Sequence, residues 1–162
     1  MSKYRLAAIA LTLAAVGGIA AHAVAGNAAT PKTYSFKANL ETRQETTQVA
    51  DAGAASGVFT GKLVIKGKRG VLSWKLSFSN LSGRPVAARV HYGASGKTGP
   101  FVIPLCAPCK IGAHGAYFGT FTSKSPLLKA LLHSGTYVNL VTKKNPKGEI
   151  RGQIKLLPAQ AA

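Results

Sequence analysis

Acidic residues are scarce in this sequence. Its 162 residues include 21 lysines and arginines but only four aspartates and glutamates. The one aspartate, Asp51, lies in a stretch of glycine and alanine, so no Ser/His/Asp catalytic arrangement is indicated. Carboxylates for acid–base catalysis would have to be drawn from four residues whose spacing indicates no shared site: Glu41, Glu45, Asp51 and Glu149. The sequence therefore predicts a protein that is not an enzyme.

Long apolar runs are also few, and the single one stands near the N-terminus. The charged "MSKYR" precedes it, and small residues ending at Ala25 follow it, which is typical of a cleaved secretory signal. We expect a signal peptide at 1–25, a linker at 26–32, one domain at 33–158 and a tail at 159–162. With no second run, we expect no membrane span after cleavage and a secreted or periplasmic protein. The alternative is an uncleaved N-terminal anchor, because the run is about long enough to cross a bilayer.

Positive charge dominates the rest of the chain. Removing a leader that contains Lys3 and Arg5 lowers the formal net charge from +17 to +15. A field of this sign attracts polyanions, so the expected partner is an anionic polymer, a lipid surface or an extracellular protein. The basic residues are distributed along the chain without a nucleic-acid-binding motif or interleaved aromatics, so no specific nucleic-acid partner is expected. The alternative is that the charge serves solubility alone.

Alternation of apolar and polar residues predicts short β-strands. In the segment 71–79, Leu72, Trp74, Leu76 and Phe78 share one face, and Lys75 and three serines share the other, which is typical of a half-buried antiparallel strand. The turn 67–70 joins this segment to the strand before it as a hairpin. The predicted strands are 33–40, 57–66, 71–79, 86–92, 101–105, 116–122, 137–142 and 149–157, and a flexible loop is predicted at 48–57.

One short helix interrupts the strands. In "SPLLKALLHSG", Ser125 is the N-cap, Pro126 takes the first helical position and Gly135 is the stop signal. Four leucines form its apolar stripe: Leu127, Leu128, Leu131 and Leu132. About eight short strands with one helix predict an all-β protein, either a β-sandwich or a Greek-key barrel.

The stretch "HYGASGKTGP" contains most of a phosphate-binding loop. That motif requires a glycine where His91 stands, and its Lys-Thr must open a helix whose N-terminus faces the phosphates. Here Gly99 and Pro100 follow, and then a strand. We therefore expect a turn between strands, with no nucleotide and no other cofactor.

Four patches in this chain resemble the CHRD domain, which is found in chordin and in many secreted microbial proteins. They are "FKANLETRQETTQV", "ARVHYGASGKTGP", the leucine-rich helix and "TYVNLVTKKNPKGEIRGQI". The turn residues that match are His91, Gly93, Gly96, Gly99, Pro100, Asn145, Pro146, Gly148, Glu149 and Arg151. The resemblance implies an immunoglobulin-like or superoxide-dismutase-like Greek-key β-sandwich. It implies no general biochemical activity, so we expect a non-enzymatic binding or structural module.

The segment 145–148 suits a type I turn, with Pro146 at its second position and Gly148 at its fourth. This turn would join 137–142 to 149–157 as a hairpin. Glu149 and Arg151 then lie two residues apart on one face, where we expect a structural ion pair. The turns at 91–100 and 145–148 are expected to shape one end of the sandwich.

Family members often carry a His-x-His pair in the central strand and another histidine after Tyr-Val-Asn, a set similar to the ligands of copper–zinc dismutase. Here Arg89 and Val141 stand at two of those positions, and only His91 remains. The resemblance therefore implies no dismutase-like metal site. We expect His91 to be a hydrogen-bonded residue at a strand end.

The segment "CAPCKIGAHG" places Cys106, Cys109 and His114 in a C-x2-C-x4-H pattern. Export favours a disulfide between the two cysteines, and closing so small a loop stabilises by roughly 2 kcal/mol at most. A redox pair would need a helix N-terminus at the first cysteine, and haem attachment would need a histidine where Lys110 stands. A metal site formed by Cys106, Cys109, His114 and His91 stays open. A metal-binding or redox protein is therefore the alternative function.

Overall fold

A computed structural model describes residues 30–51 and 53–159. The predicted signal peptide and its cleavage site after Ala25 lie outside the described residues, as does most of the predicted linker. All four carboxylates, both cysteines and every predicted strand lie inside them.

The described residues form nine β-strands and one α-helix. The strands are β1 (Lys32–Glu41), β2 (Ser56–Lys66), β3 (Arg69–Ser79), β4 (Pro85–Tyr92), β5 (Phe101–Cys106), β6 (Ala113–Thr120), β7 (Thr136–Thr142), β8 (Ile150–Gln153) and β9 (Lys155–Leu156). The helix α1 spans Pro126–Leu132, and a short 3-10 turn, Thr42–Gln44, follows β1.

The strands pair antiparallel in one sheet, in the order β5-β4-β7-β8-β1-β2-β3-β6, with β9 also paired to β1. Strands β2 and β3 form a long hairpin that turns at Gly67 and Lys68, as the sequence predicts. Cα atoms of the two end strands, β5 and β6, come within 8 Å of each other. The sheet is therefore nearly closed.

Strand alternation decides which face is buried. In β3, Leu72, Trp74 and Leu76 are buried, whereas the residues between them are exposed. The inner faces of both halves of the sheet meet in one core, which includes Phe59 from β2 and Val138 from β7. Burying each large apolar side chain stabilises the fold by about 1.5–3 kcal/mol, so the alternation read from the sequence determines the inside of the molecule.

The helix closes one part of this core. The Ser125 hydroxyl accepts a hydrogen bond from the Leu128 backbone N–H at 3.3 Å, and Pro126 is the first helical residue. Leu128 and Leu131 are buried. The chain leaves the helix through Ser134, at φ +53, before Gly135. The predicted start, apolar stripe and stop of this helix are confirmed.

The prediction of an all-β protein with one short helix is confirmed. Most strand boundaries lie within two residues of the prediction. The larger differences are that β6 begins at Ala113 and that the predicted strand 149–157 is divided into β8 and β9 at the buried Ile154. The finer prediction, a Greek-key sandwich, stays a prediction. No helix in the described part of the chain is both long and apolar enough to span a bilayer.

Candidate functional site

The Gly-rich loop between β4 and β5 folds over the outer face of β7 and β8. The Lys97 N–H donates to the Ala94 carbonyl at 3.0 Å, which closes a turn within the loop. Arg151 on β8 donates through Nη2 to the same Ala94 carbonyl at 3.1 Å and to the Lys97 carbonyl at 2.6 Å. The loop thus presents carbonyl oxygens to a cation, whereas a phosphate-binding loop presents N–H groups to an anion. The expectation of a turn between strands is confirmed.

His91 lies beside this loop, against an aromatic neighbour. Its ring stacks on Tyr137 of β7, with centroids 5.0 Å apart, and its Nδ1 lies 2.9 Å from the Gly99 carbonyl. Burial lowers the pKa of His91, the Gly99 carbonyl opposes this, and the charges of Arg89 and Arg151 lower it further. A neutral imidazole that donates from Nδ1 fits this environment. His91 is a hydrogen-bonded residue near the end of β4, as expected from the sequence.

Glu45 approaches the same arginine from the turn after β1. Burial raises the pKa of Glu45 to about 7, although the positive charge of Arg151 opposes the shift. Gly148 adopts φ +146, and a Cβ there would lie 2.5–2.6 Å from the Glu45 carboxylate. A residue with a side chain would be strained at this position and would displace the carboxylate. The glycine of the 145–148 turn therefore makes room for Glu45.

Glu149 belongs to a separate, buried hydrogen-bond network. Its carboxylate accepts from the Ser82 N–H, from the Ser82 hydroxyl at 3.0 Å, from Thr142 Oγ1 at 2.5 Å and from Asn145 Nδ2 at 3.2 Å. Burial would raise the pKa of Glu149, but these donors hold it below its usual value. A carboxylate with this many donors stabilises the turn around it and has no free edge for chemistry.

The predicted ion pair between Glu149 and Arg151 is wrong. Glu149 lies just before β8, so strand alternation does not place its side chain beside that of Arg151. Its carboxylate turns toward Ser82, while Arg151 lies under the Gly-rich loop. Among the described residues, ion pairs form only between Arg43 and Glu41 and between Lys144 and Asp51.

The Asn145 side chain holds the loop at Ala50 against the 145–148 turn by hydrogen bonds. Its Oδ1 accepts from the Ala50 N–H at 2.8 Å, and its Nδ2 donates to the Ala50 carbonyl at 3.1 Å. The Gly148 N–H donates to the Asn145 carbonyl at 3.2 Å, so 145–148 is the predicted turn and it joins the β7–β8 hairpin. The predicted flexible loop 48–57 is anchored at Ala50 by these bonds.

The two motif turns do not shape one end of the molecule, which corrects the expectation from sequence. The Gly-rich loop follows Tyr92, which is paired with Thr136, the first residue of β7. The other turn follows Thr142, the last residue of β7. The turns are attached to opposite ends of this strand because β4 and β8 both run antiparallel to it.

Cys106 and Cys109 stand at disulfide distance, with their Sγ atoms 2.05 Å apart. His114 is exposed on β6, and His91 is packed on Tyr137 on the other half of the sheet. In the described ranges, no group of three or more His, Cys, Asp or Glu residues is placed to hold a metal ion. The four candidate ligands are therefore not assembled into one site.

Four lysines meet on the outer face of the half-sheet that holds β1, β2 and β3. They are Lys37 on β1, Lys62 on β2, Lys75 on β3 and Lys155 on β9, and all are exposed. We call them the basic face. Lys155 is opposite Lys37, and Thr60 lies between Lys37 and Lys75 in the register. Lys62 stands two residues after Thr60 on β2, so it is a diagonal neighbour of both Lys37 and Lys75. Facing side chains in a sheet have Cβ atoms about 5 Å apart, and diagonal neighbours are about 7–8 Å apart.

The chain's carboxylates do not neutralise the basic face. Glu45 and Glu149 are packed on the other half of the sheet, and Asp51 is bonded to Lys144. Glu41 lies at the end of β1, where Arg43 Nε donates to it at 2.5 Å and lowers its pKa. The positive charge of the face is left uncompensated by the protein itself.

Sequence reasoning described the basic residues as distributed, and along the chain they are. Lys37, Lys62 and Lys75 lie in three different strands, and only the register places them together. A signal was available, because each stands at a polar position of an alternating strand and must therefore point outward. The local sequence pattern does not reveal which strands pair, and it is this pairing that brings the three lysines together.

These features define an antiparallel β-domain whose motif residues hold loops in place and which presents four lysines together on one sheet face. The family model of the CHRD domain matches residues 36–154. The chain therefore belongs to the CHRD domain family. CHRD domains occur in extracellular or secreted proteins, and membership suggests a binding or structural module. No curated protein and no solved structure shows significant similarity to the chain.

Proposed function

We propose that this protein is an exported, non-enzymatic binding module that holds an anionic partner on its basic face. The observation that carries the proposal is the row formed by Lys155, Lys37, Thr60, Lys75 and His114 in adjacent strands, with no carboxylate beside it. Export is proposed from the N-terminal charges, the apolar run and the small residues ending at Ala25. A secreted or periplasmic destination follows from that signal.

The basic face lowers the stability of the folded protein. Lys37 and Lys155 are directly opposite each other, and like charges so placed destabilise a sheet by roughly 0.2–1 kcal/mol. Solubility alone requires charge on the surface but not this register. An anionic partner would relieve the repulsion, which favours binding over solubility as the role of the face.

The geometry of the face suits an extended polyanion. Strands in a sheet lie about 4.8 Å apart, so Lys37 on β1 and Lys75 on β3 are separated by about 10 Å. Lys62 lies between them, one diagonal step along β2. Lysine side chains are long and flexible, and each presents three donors at its tip. The face can therefore contact successive anionic groups without a preformed pocket.

The proposed architecture is a Greek-key sandwich made from the two halves of the nearly closed sheet. Strand β7 lies beside β4, and β4 beside β5. The approach of β5 to β6 extends this to the order β7-β4-β5-β6, in which the fourth strand of the series returns to lie beside the first. That order matches the Greek-key pattern and supports the proposed architecture. The single core shared by both halves supports two packed layers.

A heparin column tests the proposed binding function with a soluble sulfated polysaccharide. The protein would begin at residue 26, since every described element lies beyond that point. We expect wild type to be retained at low salt and to elute as salt screens the charges. The variant Lys37→Gln/Lys75→Gln should elute at clearly lower salt.

The matched control is Lys124→Gln/Lys143→Gln. It removes the same charge from exposed residues that lie outside the sheet face, and it should elute close to wild type. Equal shifts for the two variants would mean that net charge, and not the basic face, governs retention. An absence of retention of wild type at low salt would contradict the binding function altogether.

A further inference from the structure

We infer that the outer face formed by β1, β2, β3 and the neighbouring β6 docks on an anionic lipid bilayer, and that Phe118 inserts into the bilayer. The inference rests on the binding function proposed above. A row of apolar side chains crosses the same face. Val64 on β2 is opposite Val71 on β3, and Val71 is opposite Phe118 on β6. Phe118 is 73% exposed and Val64 is 36% exposed. The fold thus leaves an aromatic ring and a valine in contact with water.

Cations flank this apolar row on both sides. On β2, Lys62 lies two residues before Val64 and Lys66 lies two residues after it. Lys66 is opposite Arg69 of β3. Side chains two residues apart on a strand share a face and are separated by about 7 Å. The apolar row therefore has Lys62, opposite the neutral Ser73, on one side and the pair of Lys66 and Arg69 on the other. Lys37 and Lys75 lie in the next row beyond Lys62.

An exposed aromatic ring in an apolar row, with Lys62 on one side of the row and Lys66 and Arg69 on the other, matches the chemistry of a membrane interface. Anionic headgroups attract lysine and arginine side chains near the membrane surface. Each such side chain raises the partitioning of a protein onto the membrane about fivefold. An apolar side chain gains further by leaving water for the acyl boundary. A soluble polyanion offers charge but no apolar layer, so it would leave Phe118 in water. The combination of the two chemistries on one face points to lipid.

A second copy of this chain fits the same row poorly. In a symmetric dimer the same face of each copy would meet the other, so the cations of one copy, among them Lys62, Lys66 and Arg69, would approach the cations of its partner. No carboxylate is free to offset that repulsion, because Glu41, the acid at the end of the face, is paired with Arg43. Charge complementarity therefore favours an anionic surface as the occupant.

Phe118 can be replaced without disturbing the core. Its neighbour Tyr117 packs against the core, with its ring 6.4 Å from that of Phe121 in an edge-on arrangement. Phe118 points to the opposite face, because successive side chains alternate along a strand. Removing the Phe118 ring creates no internal cavity. The variant Phe118→Ala is expected to fold as wild type does.

Vesicle co-sedimentation at 25 °C tests the inference. The probes are vesicles of phosphatidylcholine alone and vesicles that contain phosphatidylglycerol as well. We expect wild type to bind the anionic vesicles, Phe118→Ala to bind them about tenfold more weakly, and both to be retained equally on heparin. Ile111→Ala is the control, since Ile111 is 80% exposed but lies in the turn after Cys109. Its binding should match that of wild type. In Phe118→Trp, indole emission should shift to shorter wavelength when anionic vesicles are added.

The outcomes separate this inference from the binding function on which it rests. Equal vesicle binding by Phe118→Ala and wild type, with heparin retention intact, would overturn lipid insertion and leave the basic face as a polyanion site. Equal binding to neutral and anionic vesicles would also overturn it. A dimer of wild type that Phe118→Ala dissociates would assign the apolar row to self-association and overturn the lipid assignment. Loss of binding to every anionic probe would remove both proposals.

Discussion

The guanidinium carbon of Arg151 lies 3.5 Å from the centre of the Tyr137 ring. The same guanidinium donates to the carbonyls of Ala94 and Lys97, so one side chain joins β8, β7 and the Gly-rich loop. We expect Arg151→Lys to lower the free energy of unfolding by about 1–2 kcal/mol. An ammonium group cannot stack flat on the ring and hold two carbonyls in the same plane. Urea unfolding measures the change.

The control for this substitution is Arg43→Lys, because Arg43 is 83% exposed and pairs only with Glu41 at the surface. Its free energy of unfolding should stay within about 0.5 kcal/mol of wild type. If Arg151→Lys proved as stable as Arg43→Lys, the stacking would have no energetic role and the loop would be held by other contacts.

The carboxyl of Glu45 is predicted to make stability depend on pH. Its pKa is raised from 4.5 to about 7 in the folded protein, mainly by burial. The unfolded chain therefore releases this proton at lower pH than the folded chain does, and the associated stability is present below about pH 4.5 and is lost as pH rises to about 7. With allowance for partial solvent exposure, the loss is on the order of 2 kcal/mol.

The variant Glu45→Gln isolates this effect. Relative to wild type it should gain stability progressively between pH 4.5 and 7.5, because it has no charge to bury. The lowered pKa of His91 acts in the opposite direction below pH 6.5, but it is common to both proteins and cancels in the difference. Glu41→Gln should run parallel to wild type above about pH 5.5, because the lowered pKa of Glu41 confines its effect on stability to lower pH. Parallel curves for Glu45→Gln would show that the Glu45 carboxyl is not desolvated.

Two glycines of the Gly-rich loop are predicted to differ in their tolerance of alanine. Gly93 has φ +146, and a Cβ there would lie 2.8 Å from the Lys97 carbonyl oxygen and 2.9 Å from the Tyr137 ring. Gly96 has φ +72 and open space around it. Gly96→Ala should cost about 1 kcal/mol through backbone strain alone, and Gly93→Ala about 3 kcal/mol or more. Melting temperatures of the two variants check the order, and a reversed order would contradict the close packing of Gly93 against β7.

The sequence predicted those parts of the fold that are encoded locally. Alternation along 71–79 reports which side chains face the core, because a strand has a period of two, and the structure buries Leu72, Trp74 and Leu76 accordingly. The cap at Ser125 and the turn at 145–148 likewise depend on residues next to one another in the chain. Such features need no knowledge of strand partners.

The features that were predicted wrongly, or were not predicted at all, depend on contacts between residues far apart in the sequence. Glu149 was expected to bind Arg151, two residues away, but its strongest partners include Ser82, which is 67 residues distant. The lysines of the basic face and the apolar row that ends at Phe118 exist only because β1, β2, β3 and β6 pair in one register. Local pattern gives the direction in which each side chain points, but not its neighbour on the next strand.

The cysteine pair gives a prediction that separates a structural bond from the metal or redox alternative. A disulfide between these cysteines would close a very short loop, with a sequence separation of 3, so the chain-entropy model predicts that Cys106→Ser/Cys109→Ser lowers the free energy of unfolding by only about 2 kcal/mol. In native protein exported to an oxidising compartment, a thiol assay should find no free cysteine until a reductant is added. The variant should still fold, because many buried apolar side chains larger than that of Cys109 stabilise the core.

Added zinc(II) or copper(II) extends the same experiment. The four candidate ligands are not assembled among the described residues, and the Sγ atoms of Cys106 and Cys109 lie at disulfide distance from each other. We therefore expect neither metal to raise the melting temperature of the oxidised protein. A saturable rise that is abolished both in His91→Ala and in Cys106→Ser would contradict the structural role and assign the loop to metal binding. Free thiols in the native exported protein would contradict it as well, since a reduced pair at this spacing is competent for redox exchange.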